Sequence, residues 1–214
     1  MTPVFTERLT SLATLLLEPY RFSFTAASAM ISEFVTMAKS LQKGVPLDEL
    51  QNSITGREKK ATYSREFREL KLRIQTLTEQ QIEILAEGTP EEQKQITHLA
   101  LCKSYGIYHD FVSEVLAEKL QVFDHTITDL DYNSFISRKK MDHPKLENLA
   151  DTTQKKVKQV IFRMLQQVGL IDSRSNPSIL YQNLTTKTET AIVEDNPKWL
   201  ACFLYPEHQI KSLL

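Results

Sequence analysis

His98 and Cys102 stand four positions apart, with Tyr105 and His109 close behind. On a helix that spacing sets an imidazole beside a thiol, and the chemistry it suggests is nucleophilic: the base takes the thiol proton and the thiolate attacks. Cys102, however, is flanked by Leu99, Ala100 and Leu101, as a small buried apolar residue would be, so the expected role is a packed core thiol. Asp124, His125, Asp129 and Asp131 form the best carboxylate–imidazole group, a set that could hold a hydrolytic metal. Thr128 as a helix cap and Asp129 as a first-turn acid account for it through helix ends alone. The sequence has no phosphate-binding glycine loop, no GxSxG and no HExxH. The expectation is a non-enzymatic protein, without catalytic residues, metal ligands or cofactor.

A different chemistry is written in LADTTQKKVKQVIFRMLQQVGLIDS, residues 149–173. Val157, Val160, Ile161, Met164, Leu165 and Val168 form one apolar helical stripe. The outer face carries Lys155, Lys156, Gln159 and Arg163, with Lys158 at its margin. Long polar donors of this kind suit phosphates and base edges. Asp151 and Gln154 have capping-box spacing, which predicts a start at Thr152, and Gly169 predicts a left-handed stop. A helix, then Gly-Leu-Ile, then a loop with Asn176-Pro177, then SILY is the order of a recognition helix and its two-stranded wing. An ordinary solvated lysine face satisfies the same pattern, so both readings stay open here.

Two more basic groups exist. One holds Arg57, Lys59, Lys60, Arg65, Arg68, Lys71 and Arg73, partly offset by Glu58, Glu66 and Glu69 in helical register. The other is Arg138, Lys139 and Lys140. The whole chain supplies no positive field: 26 cations against 27 carboxylates leave a formal charge of −1. Any nucleic-acid binding must therefore come from a local face.

The elements that must position these residues are helical almost throughout. With 41% hydrophobic residues and only 5 glycines, the chain is ordinary for a soluble protein and poor in turns for an all-β fold. Leu9, Leu12, Ala13 and Leu16 make a stripe that Pro19 ends. Thr25 is the expected cap of a helix burying Met30, Ile31, Phe34, Val35, Ala38 and Leu41, with Gly44 as its stop. Pro46 opens a short helix, and Phe67, Leu70, Ile74 and Leu77 mark the next. Thr78, Pro90 and Thr128 open three further helices. Phe111, Val115 and Leu116 belong to the buried side of the chain between the last two. Cys102 and Cys202 lack zinc or disulfide spacing, which fits a reducing cytoplasm, and no segment has the length of a signal peptide or membrane span. A soft boundary near Met141 divides a helical domain, 1–141, from a winged-helix-like module with a short β-hairpin, 142–214.

Several stretches together resemble the BrxA family of BREX phage-defence systems. They are YRFSFTAASAMISEF, SREFRELKLRIQTLTEQQIEILAEGTPEEQ, LALCKSYGIYHDFVSEVLAEKL, and TDLDYNSFISRKKMDHPKLENL running on into residues 149–173. The resemblance reaches from about Tyr20 to Tyr205 and rests on order and spacing, not on a catalytic signature. It implies a cytoplasmic, non-enzymatic, largely helical protein whose body is similar to NusB-type RNA-binding bundles. It further implies helix-turn-helix-like elements and duplex DNA as the partner. The DNA-facing residues named above come from charge, not from the family. A module that docks to larger BREX proteins without touching nucleic acid is the alternative, and RNA is a third partner class.

Overall fold

A computed structural model describes residues 20–52 and 60–214. The expected helix around Leu9–Leu16 lies outside them. Within the described residues the chain is mainly α: α1 (Ile31–Gln42), α2 (Lys60–Ile74), α3 (Glu79–Glu87), α4 (Pro90–Ser104), α5 (Gly106–Asp110), α6 (Ala117–Gln121), α7 (Asp129–Asp142), α8 (Pro144–Glu147), α9 (Asp151–Gln167), α10 (Thr186–Asp195) and α11 (Glu207–Ser212). A π-helical segment, Phe111–Leu116, joins α5 to α6, and a 3-10 segment, Pro197–Phe203, follows α10.

Threonines set the starts. Thr78, Thr89 and Thr128 each form a reciprocal capping box, with Gln81, Glu92 and Asp131 respectively. These satisfy two otherwise orphaned N–H groups per helix. Thr25 does not cap α1. It sits in a 3-10 turn with its hydroxyl donating to Phe22, and the helix opens instead after Met30, at φ +53°. Of the expected buried face of α1, Met30, Phe34 and Ala38 are buried, while Ile31, Val35 and Leu41 are only partly so.

Helix α4 is the axis. Every residue from Gln95 to Ser104 is buried, as befits a helix enclosed on all sides, and α1, α2, α3 and α10 pack around it. Buried residues from Tyr20 to Ile210 form one hydrophobic cluster.

A buried polar anchor crosses this core. Arg73, grouped by charge with the surface cations, is fully buried. Its Nη1 donates to the Ser28 and Ala29 carbonyls at 2.8 and 2.9 Å, its Nη2 to Ala27 at 3.3 Å, and its Nε to the Tyr105 hydroxyl at 3.0 Å. Tyr105 in turn donates to Glu69 at 2.8 Å. Arg73 thereby holds the extended entrance to α1.

Four chain reversals share one geometry. Gly44, Phe123, Gly169 and Leu204 each adopt a positive φ, between 59° and 82°. At each the N–H donates three residues back, and the next residue's N–H donates five back, the Schellman closure. Glycine is relaxed there, whereas a side chain costs roughly 1–2 kcal/mol. Phe123 bears that cost while 85% exposed, so its ring gains little packing in return. Phe123→Gly is expected to raise stability by about 0.5–1 kcal/mol, the strain relief less the added freedom of the unfolded chain. A lower urea midpoint for that variant would contradict the assignment.

Candidate nucleic-acid interface

Helix α9 buries the predicted stripe, from Val157 to Leu165, and points Lys155, Lys156, Gln159 and Arg163 to solvent. Its start differs from expectation: Ala150 is the cap, Asp151 is already helical, and Gln154 donates to the Leu149 carbonyl at 2.8 Å. Its end is as expected, with Gly169 at φ +82° and Leu170 donating back to Leu165.

The expected hairpin is reduced. No strand forms among the described residues, and SILY contributes only isolated bridges: Ile171 to Ile179 and Thr126 to Ser178, both antiparallel. Three extended pieces thus meet, around 126, 171 and 179, and the piece near Thr126 was not foreseen. Ile127 donates to the Pro177 carbonyl at 2.9 Å, and Ile179 donates to His125 at 2.7 Å. Asp172 accepts from the Ser178 N–H at 2.8 Å, which holds its carboxyl below the usual range and closes the loop that carries Arg174.

Between α9 and that loop opens a cleft of about 710 Å³. Lys158, Gln159, Arg163 and Arg174 line it, with Phe162 at its apolar wall. Asp129 is the one lining carboxylate, and it already pairs with Lys158 at 2.8 Å. Three cations against one carboxylate leave the cleft positive, with Arg163 and Arg174 exposed. Lys155 lines a smaller cavity of about 200 Å³ between α7 and α9, again beside Lys158. Arg174 was missed in the sequence because it stands alone in its loop.

The other basic groups do not converge here. Arg138 and Lys140 line neither cavity, and Arg65 and Arg68 are exposed on α2. Lys71 is paired with Asp48. Arg57, Lys59 and the side chain of Lys60 lie outside the described residues.

Lys139 is mostly buried and engaged with Asp110, at 2.7 Å, and with Glu114. Asp110 also accepts from the Tyr20 hydroxyl at 2.6 Å and contacts His109 Nδ1 at 3.0 Å. Burial would raise the Asp110 pKa, but hydrogen bonds from His109, Lys139 and Tyr20 outweigh it and bring it to about 2. For His109, burial works downward, yet bonding to Asp110 and the neighbouring Cys202 thiol carry it up to about 10. A carboxyl with a depressed folded pKa stabilises the fold above its unfolded value and loses that stabilisation in acid. Stability should therefore fall by about 2 kcal/mol from pH 5 to pH 2 through Asp110. The raised histidine acts oppositely, losing its contribution as pH climbs from about 6.5 towards 10. Urea midpoints across pH, compared with Asp110→Asn, check this; the variant should be flatter on the acid side.

The catalytic-looking His98 and Cys102 are packed into the core. His98 is fully buried, its Nδ1 3.0 Å from the Tyr108 hydroxyl and its Nε2 2.8 Å from the Cys202 carbonyl. Burial lowers its pKa to about 4 and pushes the Cys102 thiol up. That combination leaves a neutral imidazole beside a protonated thiol. Asp124 and Asp131 both pair with Lys119, at 2.7 and 3.1 Å, and Asp131 completes the Thr128 cap. No cluster of metal-ligand type occurs among the described residues, and none of their helices is long and apolar enough to cross a membrane.

The BrxA family model matches residues 18–196. The chain belongs to the BrxA family. A BREX protein BrxA of Escherichia coli O9:H4 (strain HS) is 23% identical over 123 residues, covering 58% of this chain and 58% of its own. A BREX protein BrxA of Bacillus cereus (strain H3081.97) is 28% identical over 102 residues, covering 48% and 51%. The chain thus spans only about half of either relative in these matches. An uncharacterized protein from Magnetospirillum magneticum, solved by crystallography, shares the fold with a TM-score of 0.73 at 17% identity, over 86% of this chain and 97% of that one. The BrxA match ends before the 3-10 segment at Pro197–Phe203 and takes in α9 and the whole cleft.

Proposed function

We propose that this BrxA-family chain is a non-enzymatic component of a bacterial BREX anti-phage system that binds duplex DNA, mainly through phosphates, in the cytoplasm. The observation that carries the reading is the convergence of Lys158, Gln159, Arg163 and Arg174 on one positive cleft beside the exposed face of α9. The order of elements supports it: extended piece, α7, the one-turn α8, α9, extended piece, loop, extended piece resembles a winged helix-turn-helix with α8 in its turn, whose recognition helix enters the major groove. The names of the Escherichia coli and Bacillus cereus relatives support the BREX assignment. Phosphate positioning rather than base reading suits a cleft with two exposed arginines and the amides of Gln159 and Asn176.

Anisotropy of a labelled mixed-sequence duplex, titrated from 50 to 300 mM salt, tests it. Neutralising about three phosphates should give a log–log slope near −3. No binding at the lowest salt would overturn the reading and leave a component that works through protein contacts alone. Stronger capture of an RNA competitor would redirect it to RNA.

A further inference from the structure

Cys102 in α4 and Cys202 in the 3-10 segment are distant in sequence but share one corner of the core, both buried and both free. Their thiols are hydrogen-bonded to each other. His98 holds the pair in place, with its Nε2 3.8 Å from Cys102 Sγ and 2.8 Å from the Cys202 carbonyl. Phe203 closes the corner, its ring edge-on to His98 with centroids 5.0 Å apart.

A second imidazole reaches Cys202 from α5. His109 bonds the Cys202 thiol, and its Nδ1 lies 3.0 Å from Asp110. Carboxylate, imidazole and thiol in series are the arrangement that activates a sulfur nucleophile. Burial would raise the Cys202 pKa, but bonding to Cys102 and His109 and the charges of His109 and Lys103 outweigh it, leaving it below the usual thiol value. Cys102 moves the other way, raised by burial and by its bond to Cys202. One sulfur is therefore a thiolate and its neighbour a thiol, the division between an attacking and a resolving cysteine.

Two further features favour chemistry over packing. Enclosing a thiolate with an imidazolium costs desolvation that apolar residues of the same volume would avoid, so the pair is poor material for stability alone. Cys202 is also close to solvent, because the His109 side chain bonded to it is 31% exposed. That puts the sulfur one side chain below the surface, within reach of a solute little larger than water.

We propose that Cys202 and Cys102 are an oxidisable dithiol pair for hydroperoxides, with Cys202 the attacking sulfur and Cys102 the resolving one. The Cys202 thiolate attacks one peroxide oxygen and the O–O bond breaks. The departing hydroxide takes the His109 proton and leaves as water, and Cys202 becomes a sulfenic acid. Cys102 sulfur then displaces the sulfenic hydroxyl, which takes the Cys102 proton and leaves as a second water. Two thiol sulfurs have given two electrons, and one peroxide has become two waters. Sulfurs already in hydrogen-bond contact need to close by only about 2 Å to reach bonding length. The disulfide ties the 3-10 segment to α4. The site is separate from the nucleic-acid reading and does not depend on it.

The probe is hydrogen peroxide, added to the reduced native chain, followed by acid quenching, intact mass and peptide mapping. The expected product has lost two hydrogens, carries one cross-link between Cys102 and Cys202, and returns to the dithiol with excess dithiothreitol. The native pair should react about tenfold or more faster than the same thiols in denaturing urea, where neither is activated. Cys102→Ser should leave a Cys202 sulfenic acid that dimedone traps, whereas Cys202→Ser should slow oxidation of Cys102 about tenfold or more. The wild-type comparison decides the matter even where a variant folds poorly. Native protein that keeps both thiols at millimolar peroxide would overturn the proposal. So would a cross-link that forms only in urea, or dimedone labelling of the native chain at Cys102 first.

Discussion

Arg73→Ala is expected to lower the unfolding free energy by about 3–5 kcal/mol. The guanidinium is fully enclosed and makes four hydrogen bonds, three of them to consecutive carbonyls at Ala27, Ser28 and Ala29. Alanine leaves those carbonyls without their donor at the entrance to α1. It also takes the cation away from the Glu69 carboxylate, which is 2% exposed, reaches Arg73 through Tyr105 and keeps only the neutral donors Tyr105 and Ser23. Burial already pushes the Tyr105 phenol up to about 12, so it stays a neutral donor to that carboxylate and brings it no balancing charge. Arg73→Lys should recover only part of the loss, because a point cation cannot match the planar fork. Urea denaturation followed by circular dichroism measures both variants. A loss under about 1 kcal/mol for alanine would mean that the network does not anchor the fold.

The double reversal Arg163→Glu with Arg174→Glu carries the largest expected effect on binding. Each contact removed should take about one from the salt slope, and two carboxylates facing phosphates add repulsion. Affinity for duplex DNA should fall about 100-fold or more at 0.1 M salt. Both side chains are exposed and off the apolar stripe, so stability should change by no more than about 0.5 kcal/mol. A variant that binds as before would remove the cleft from the interface. The same reversal at Arg65 and Arg68 maps the extent of the footprint. A comparable loss there extends it to α2, and an unchanged affinity confines it to α9 and its loop.

Periodicity made most helices legible, because an apolar residue every three or four positions follows from burying one face. The capping threonines at 78 and 128 were legible for the same local reason. What escaped was decided by distant parts of the chain. Glu66, Glu69 and Arg73 read as a surface charge run, yet they share a helical face with the buried Leu70. The carbonyls of 27–29 and the Tyr105 hydroxyl make burial of that arginine affordable. Lys139 looked free until α5 and the π-helical segment brought it Asp110 and Glu114. In the candidate site, the outer face of α9 was readable, whereas Arg174 was not. Its place in the cleft depends on the pairing of 126–127 with 177–178, which no local pattern encodes.

That pairing also orders events in time. Helix α9 closes through contacts within a few residues and can form as soon as its own segment is available. The cleft cannot, because its loop is fastened to the Ile127 backbone from about fifty positions downstream. During synthesis the basic helix therefore precedes the groove that gives its charges a shape. A chain halted after Leu170 would carry the lysines of α9 without Arg174 or the wall opposite them. The nascent protein would show a cationic helix first and a formed cationic cleft only once Pro177 had docked.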